Sequence, residues 1–224
     1  MAADGAEDLT LLWSKEQTKG RGRRERDWIS KPGNLYSTFI LRPNKRADEL
    51  SQASFIPPLA IVNMVATIDD TIDVGFKWPN DVLLNGRKIA GILLEAGPIE
   101  NGRCDWIVAG CGVNLAHYPP DTRYPAGSIA EEIGRDVAVE AALSAYAEAF
   151  LKWYQIWLGS GFDQLRTEWL ARAHGMGDHL QIDTGAEVVS GNFAGLGDTG
   201  ELLLKVKDDI RSISAGDVPA VGQQ

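Results

Sequence analysis

Arginine alternates with glycine in Gln17-Thr18-Lys19-Gly20-Arg21-Gly22-Arg23-Arg24-Glu25-Arg26-Asp27-Trp28. Guanidinium groups are planar forks that bind phosphate or carboxylate through paired hydrogen bonds, and glycine lets the backbone close over what they hold. Taken alone, such a run is equally a solvated basic loop or a nucleic-acid patch. The charge distribution favours the first chemistry. Residues 15–31 carry seven basic and three acidic side chains, a net of +4 in a chain of net charge −9, so the remainder stands at −13. A nucleic-acid binder spreads positive charge over a face, whereas one basic loop on an acidic body suits a small anion such as a nucleotide phosphate.

Two further segments could do chemistry. In Lys77-Trp78-Pro79-Asn80-Asp81-Val82-Leu83-Leu84-Asn85-Gly86-Arg87-Lys88-Ile89-Ala90-Gly91 a lysine, Lys88, opens an otherwise apolar strand. There its ammonium is a point charge for a carboxylate or phosphate beside buried surface, and Gly91 leaves the gap expected where a ligand approaches the backbone. In Gly110-Cys111-Gly112-Val113-Asn114-Leu115 two glycines and an asparagine end an apolar strand. That arrangement either offers an amide to a base edge or caps a turn.

The elements that must position these residues follow from periodicity. Strands are expected at 9–14, 34–41, 74–78, 88–96 and 105–115, with Asn85-Gly86 as a hairpin turn. The stretch from Ala47 to about Asp70 reads as helix, restarting at Pro57-Pro58 because proline is tolerated only in a first turn. Val139, Leu143, Tyr146, Phe150, Trp153 and Trp157 form one apolar stripe and predict a core helix over 139–157, followed by another over 162–173. Beyond Gly175 short strand candidates recur between glycine and aspartate turns, the texture of a small β-barrel. The fold class is therefore α+β: an antiparallel meander backed by helices over residues 1–174, then a small C-terminal barrel over 175–224.

Composition bounds the rest. Apolar residues make up 44% and charged residues 24%, enough for a sizeable core. No run approaches the roughly 20 apolar residues of a bilayer span, and the acidic N-terminus lacks the layout of a signal peptide, so the expected compartment is cytoplasmic. Cys104 and Cys111 fit no metal spacing and read as free packing thiols. His117, His174 and His179 are scattered and attract no role.

In this order and at these separations, QTKGRGRRERDWISKPGNLY, KWPNDVLLNGRKIAGILLE and GCGVNL closely resemble the catalytic domain of bacterial biotin–protein ligases, supported by the run from GNFAGLGDTGELLL to ISAGDV. The resemblance covers roughly residues 9–218. It implies a mixed sheet backed by helices and a small β-barrel, with no DNA-binding domain ahead of the catalytic segment. It implies an ATP- and Mg²⁺-dependent ligase that converts biotin to biotinyl-5′-AMP and passes it to a lysine of a biotin carboxyl carrier protein. By motif, the biotin-binding residues would be Gln17, Gly20, Arg21, Gly22, Arg23, Lys88 and Gly91. The ATP-binding residues would be Arg23, Arg26, Trp28, Lys77, Asn80 and Asn114, with Asn114 facing adenine. Lys88, Arg21 and Arg23 would be catalytic, and Asp81 the magnesium-side carboxylate. An edge strand is a candidate homodimer contact; neither a membrane nor a nucleic-acid partner is expected.

The resemblance departs at two points. Relatives open further upstream with a strand and a Ser-Thr-Asn motif that contacts the ureido ring of biotin, and no such motif precedes Gln17; the favoured expectation is a truncated chain, the other an enzyme with a weakened ring site. Glu25 also stands where the family has glycine, although glutamate does not readily take positive φ. Three competing readings stay open at this point: a lipoate–protein ligase, a non-catalytic biotin-binding remnant, and a nucleic-acid module using the basic loop.

Overall fold

A computed structural model describes residues 1–122 and 124–218. Six strands form an antiparallel sheet: β1 (Thr10–Ser14), β2 (Leu35–Leu41), β3 (Val74–Lys77), β4 (Asp81–Leu84), β5 (Arg87–Ala96) and, after the two-residue strands β6 (Ile99–Glu100) and β7 (Arg103–Cys104), β8 (Ile107–Val113). Their order across the sheet is β1-β2-β8-β5-β4-β3, and among the described residues parallel pairing is confined to single bridges at Phe76–Ala173 and Lys88–Ala126. The expected meander is present with one strand added. Asp81–Leu84, not expected as a strand from the sequence, pairs with both β3 and β5.

Alternation along the strands divides the sheet into two faces. Leu35, Phe39 and Leu41 of β2, Ile92 of β5, and Ile107, Ala109, Cys111 and Val113 of β8 belong to the core cluster. They meet α1 (Ile56–Ile68) and α3 (Val139–Ser160), with the rings of Phe39 and Phe150 stacked at 4.0 Å. The proline restart is confirmed: a 3₁₀ segment, Ala47–Phe55, precedes α1, whose first turn carries Pro57 and Pro58. Taken together, Ala47–Ile68 is long and apolar enough to cross a bilayer, contrary to the reading of the sequence, but 61% of its most apolar window is buried inside the fold. It is a core element. The stripe on α3 buries Tyr146, Phe150, Trp153 and Trp157 as its spacing predicts.

After the short α2 (Ile129–Ile133), which the sequence reading missed, and α4 (Asp163–Leu170), the chain enters a second sheet. It comprises β9 (His179–Asp183), β10 (Val188–Leu196), β11 (Leu202–Val206) and β12 (Asp209–Ile213), in the order β12-β11-β10-β9. Among the described residues this sheet does not close into the expected barrel. The outer strands β9 and β12 do not pair; a single bridge between Asp183 and Asp217 brings the chain after β12 back to β9. The turn between β10 and β11 is tied to the rest of the fold: the indole N–H of Trp78, just after β3, donates to the Gly200 carbonyl at 3.1 Å, and Gln52 Nε2 of the 3₁₀ segment donates to the Asp198 carbonyl. Residue 217 is thereby carried to the rim of the face opposite α1 and α3, where the glycine-rich strand segments lie.

Candidate active site

Register builds the floor of that face. Gly112 on β8 lies opposite Tyr36 on β2 and Gly91 on β5, and Gly91 lies opposite Asp81 on β4. Directly opposed residues share a face, so the row Tyr36–Gly112–Gly91–Asp81 contains a gap two residues wide. The Trp28 indole fills it: a Cβ on Gly112 would stand 2.4 Å from Trp28 Nε1, and one on Gly91 3.1 Å from Trp28 Cζ3. One row along, Thr38, Gly110 and Leu93 lie opposite one another.

The arginine segment folds back over this floor as a small hairpin. Gly22 N–H donates to the Arg26 carbonyl at 2.7 Å and Trp28 N–H to the Gly20 carbonyl at 2.9 Å. A Cβ at Gly20 would lie 2.3 Å from the Trp28 carbonyl oxygen, so that position requires glycine. At the tip Arg26 N–H donates to the Arg23 carbonyl, and the two residues between, Arg24 and Glu25, have φ of 54° and 56°. Positive φ at both central positions is the requirement of a type I′ turn, which favours Asn-Gly. Glutamate therefore sits in the left-handed conformation that its replacement of glycine made doubtful from sequence.

Acidic groups hold the hairpin down. Arg24 Nη1 meets Asp217 Oδ2 at 3.2 Å, Arg26 pairs with the same oxygen, and Arg23 Nη1 donates to Asn80 Oδ1 at 3.3 Å and to the Gly216 carbonyl at 3.4 Å. Arg21 lies between Glu95 at 3.2 Å and Glu25 at 3.5 Å. Burial works to raise the Asp217 carboxyl, but the hydrogen bond from Arg26 and the charges of Arg26, Arg24 and Arg23 hold it below the usual carboxylate range. Burial pulls the Arg23 guanidinium down from its ordinary value against the attraction of Asp217 and Asp81; it stays a cation at neutral pH.

At the mouth of β5, Lys88 Nζ contacts Asp81 Oδ1 at 2.6 Å and lies 5.6 Å from the centroid of the Trp28 ring. Lys77, buried beside β4, stands 4.0 Å from the centroid of the Tyr124 ring. Asn80 Nδ2 donates to the Ile92 carbonyl at 2.7 Å, fixing its oxygen toward Arg23.

These groups enclose a cleft of about 530 Å³ lined by Gln17, Arg21, Gly22, Arg23, Arg26, Trp28, Lys77, Asn80, Asp81, Lys88, Gly91 and Asn114. Every sequence-derived site residue is thus brought together except Gly20, which shapes the hairpin instead of lining the cleft. Asn114 lines it with little of its surface: 3% is exposed, and its Nδ2 donates to the Gly127 carbonyl at 3.0 Å. Sequence reasoning missed Thr38, Tyr124 and Asp217. Asp217 lies within the ISAGDV run that supported the resemblance, but its role depends on a fold-back no local pattern shows. Among the described residues no group of three His, Cys, Asp or Glu side chains is placed to hold a metal.

A cleft of this size, walled by fixed cations and floored by bare backbone, can hold two small anions side by side. Comparison with known proteins gives the same direction. The biotin/lipoate A/B protein ligase family matches residues 3–114. The chain is 36% identical over 222 residues to the biotin–[acetyl-CoA-carboxylase] ligase of Paracoccus denitrificans, across 96% of this chain and 92% of that one. It is 29% identical to the bifunctional ligase/repressor BirA of Bacillus subtilis, across 97% of this chain and 68% of the relative. Among solved structures, a biotin protein ligase from Aquifex aeolicus in complex with biotin and ATP superposes with a TM-score of 0.82 at 25% identity, covering 96% of this chain and 89% of that one.

Proposed function

The chain belongs to the biotin/lipoate A/B protein ligase family, and on that premise we propose that it is a biotin–protein ligase, joining biotin to a lysine of a carboxylase's biotin carboxyl carrier domain at the expense of ATP. One observation carries the reading: the arginine hairpin lies across a glycine floor with Lys88 at its mouth, so six cations (Lys19, Arg21, Arg23, Arg26, Lys77 and Lys88) line one cleft on an acidic chain.

In the first step the biotin carboxylate attacks the α-phosphorus of ATP; a C–O–P bond forms, and the bond to the bridging oxygen breaks to release pyrophosphate. Both reactants are anions, so the work of the site is to hold them together and to neutralise the charge that develops. Lys88 and Arg21 receive the carboxylate, with Gln17 and Gly22 beside the ring and Gly91 giving its chain access to the backbone. Arg23, Arg26, Lys77 and Asn80 take the phosphates, while Asn114 supports the adenine end through Gly127. Trp28 packs the hairpin down and excludes the water that would hydrolyse the acyl-adenylate. In the second step the neutral amine of the carrier lysine attacks the acyl carbon, AMP leaves with the bonding electron pair, and one proton is released as the amide forms.

Magnesium is held chiefly by substrate phosphates and needs only one or two protein carboxylates. Asp81 fits that limited duty once the incoming carboxylate competes for Lys88; the ion would screen the triphosphate. A cytoplasmic site of action fits two buried cysteines left unbridged. The test is transfer: the chain with biotin, ATP–Mg²⁺ and a carrier domain should modify one lysine, located by peptide mass. No modification with biotin, or modification with lipoate instead, would refute the assignment.

A further inference from the structure

Arg87 separates Gly86 from Lys88 in one of the segments that carry the site, yet it does not line the cleft. Its guanidinium reaches instead the strip that runs from Tyr124 to Ser128 into α2. Nε donates to the Ala126 carbonyl at 2.9 Å, and Nη2 donates at 2.7 Å to Glu131 Oε2 in the first turn of α2. The Tyr118 ring centroid lies 5.1 Å from the guanidinium carbon, and the Tyr118 hydroxyl donates to the other Glu131 oxygen at 3.1 Å. Glycine at 127 permits this approach: a Cβ there would stand 3.2 Å from both Nε and Cζ of Arg87.

The strip in turn walls the site. Tyr124 and Ala126 line the cleft; the Tyr124 ring centroid is 4.0 Å from the Lys77 ammonium, and the Gly127 carbonyl accepts from Asn114 Nδ2 at 3.0 Å. Lys88 N–H donates to the Pro125 carbonyl at 2.8 Å, and Gly127 N–H to the Lys88 carbonyl at 3.0 Å. Among the described residues the sheet pairing of the strip is limited to the single bridge Lys88–Ala126, so side-chain anchors decide where it lies. The Arg87–Glu131 ion pair contributes little by itself, with side chains 33% and 45% exposed. The anchor is the planar fork, which bonds a backbone carbonyl and a carboxylate at once and packs against Gly127 and the Tyr118 ring.

We infer that Arg87 is a positioning residue for ATP: with Glu131 and Tyr118 it fixes the strip Tyr124–Gly127 as a preformed wall against Lys77 and Asn114. This rests on the reading of the chain as an ATP-dependent biotin ligase and adds to it a residue that touches neither reactant. Order supplied before binding is order the nucleotide does not have to impose, so the clamp acts on affinity for ATP. The biotin end does not depend on it. Lys88 keeps its place through the pairing of β5 with β4, where it lies opposite Leu83.

The experiment measures biotin-dependent pyrophosphate release against ATP, the Kd for biotin in the absence of ATP, and thermal melting. Arg87→Ala should raise the KM for ATP by about ten-fold, the effect of one charge-assisted hydrogen bond lost, with the Kd for biotin at the parental value. Added methylguanidine should bring the KM for ATP back toward the parent, and sodium chloride at equal ionic strength should not. Glu131→Gln leaves Arg87 bonded to Ala126 and should shift the KM for ATP the same way by a smaller factor; it carries the test if Arg87→Ala does not fold. An unchanged KM for ATP in the folded variants, with the parent active on biotin, would overturn the inference alone. So would equal weakening of ATP and biotin with a lowered Tm and no rescue, which would mark a merely structural role. A parent that neither binds nor turns over biotin would overturn the functional reading and this inference with it.

Discussion

Glu25 occupies the second central position of the hairpin tip with φ of 56°, and Glu25→Gly should make the loop a better lid. Left-handed backbone costs an L-residue about 1–2 kcal/mol; glycine avoids this but loses about 0.4–1 kcal/mol more entropy on ordering. The Arg21–Glu25 pair is lost as well, but with side chains 51% and 82% exposed it contributes at most a few tenths of a kcal/mol. The balance favours the closed loop by about 0.5–1 kcal/mol, equivalent to about two- to five-fold in the closed-to-open ratio. If the hairpin must open for biotinyl-5′-AMP to escape, its dissociation should slow by that factor. A pulse of labelled biotin with ATP, chased with unlabelled biotin and filtered at intervals, reads the rate. Glu25→Ala separates backbone from charge, since alanine removes the carboxylate but keeps most of the left-handed cost. An intermediate lost as fast from Glu25→Gly as from the parent would refute the reasoning; equal gains from glycine and alanine would assign the effect to charge.

Other consequences follow from the same geometry. Lys88→Ala should lower adenylate formation by at least about a hundred-fold, as expected for removing a preorganised charge from a reacting centre, with a much smaller change in thermal stability; a stability loss matching the activity loss would count against a catalytic role. Asp217→Asn should release Arg24 and Arg26 and speed loss of the intermediate in the same pulse–chase assay, and an unchanged rate would mean that Asp217 does not latch the hairpin. Because the folded-state Asp217 carboxyl is depressed, the latch is fully formed above the ordinary carboxylate range and is lost as pH falls through the lowered value. Retention in the parent should therefore be level from neutral pH down to about pH 5 and fall only in stronger acid. Cys111 is buried and its thiol is pushed up to about 12, chiefly by burial, so a thiol reagent at pH 8 should leave it unlabelled until the chain unfolds; prompt labelling in the native protein would contradict its placement under α3.

How much of this was legible beforehand varied with the range of the interactions. The α3 stripe, the proline restart of α1 and the Asn85-Gly86 hairpin are local patterns, and each stands where its spacing puts it. The site residues were legible because three short segments carry them, two of them running onto the strands β5 and β8 whose register the sheet fixes. Asp81–Leu84 was missed because four residues after a Pro-Asn turn carry too little periodicity to announce a strand. Thr38 was hidden in an ordinary alternating strand, where nothing distinguishes a hydroxyl facing a glycine from one facing water. The Asp217 latch spans almost the whole chain and exists only because the second sheet folds back. That sheet's failure to close was likewise invisible, since four short strands with glycine turns fit an open sheet as well as a barrel.

The account turns on the claim that this cleft joins biotin to AMP. Purified protein with ATP–Mg²⁺ and either biotin or lipoate, followed by pyrophosphate release and mass identification of the bound product, tests it most directly. Biotin-dependent release with biotinyl-5′-AMP retained on the chain is the predicted result. Release dependent on lipoate, or none with either acid, would contradict it.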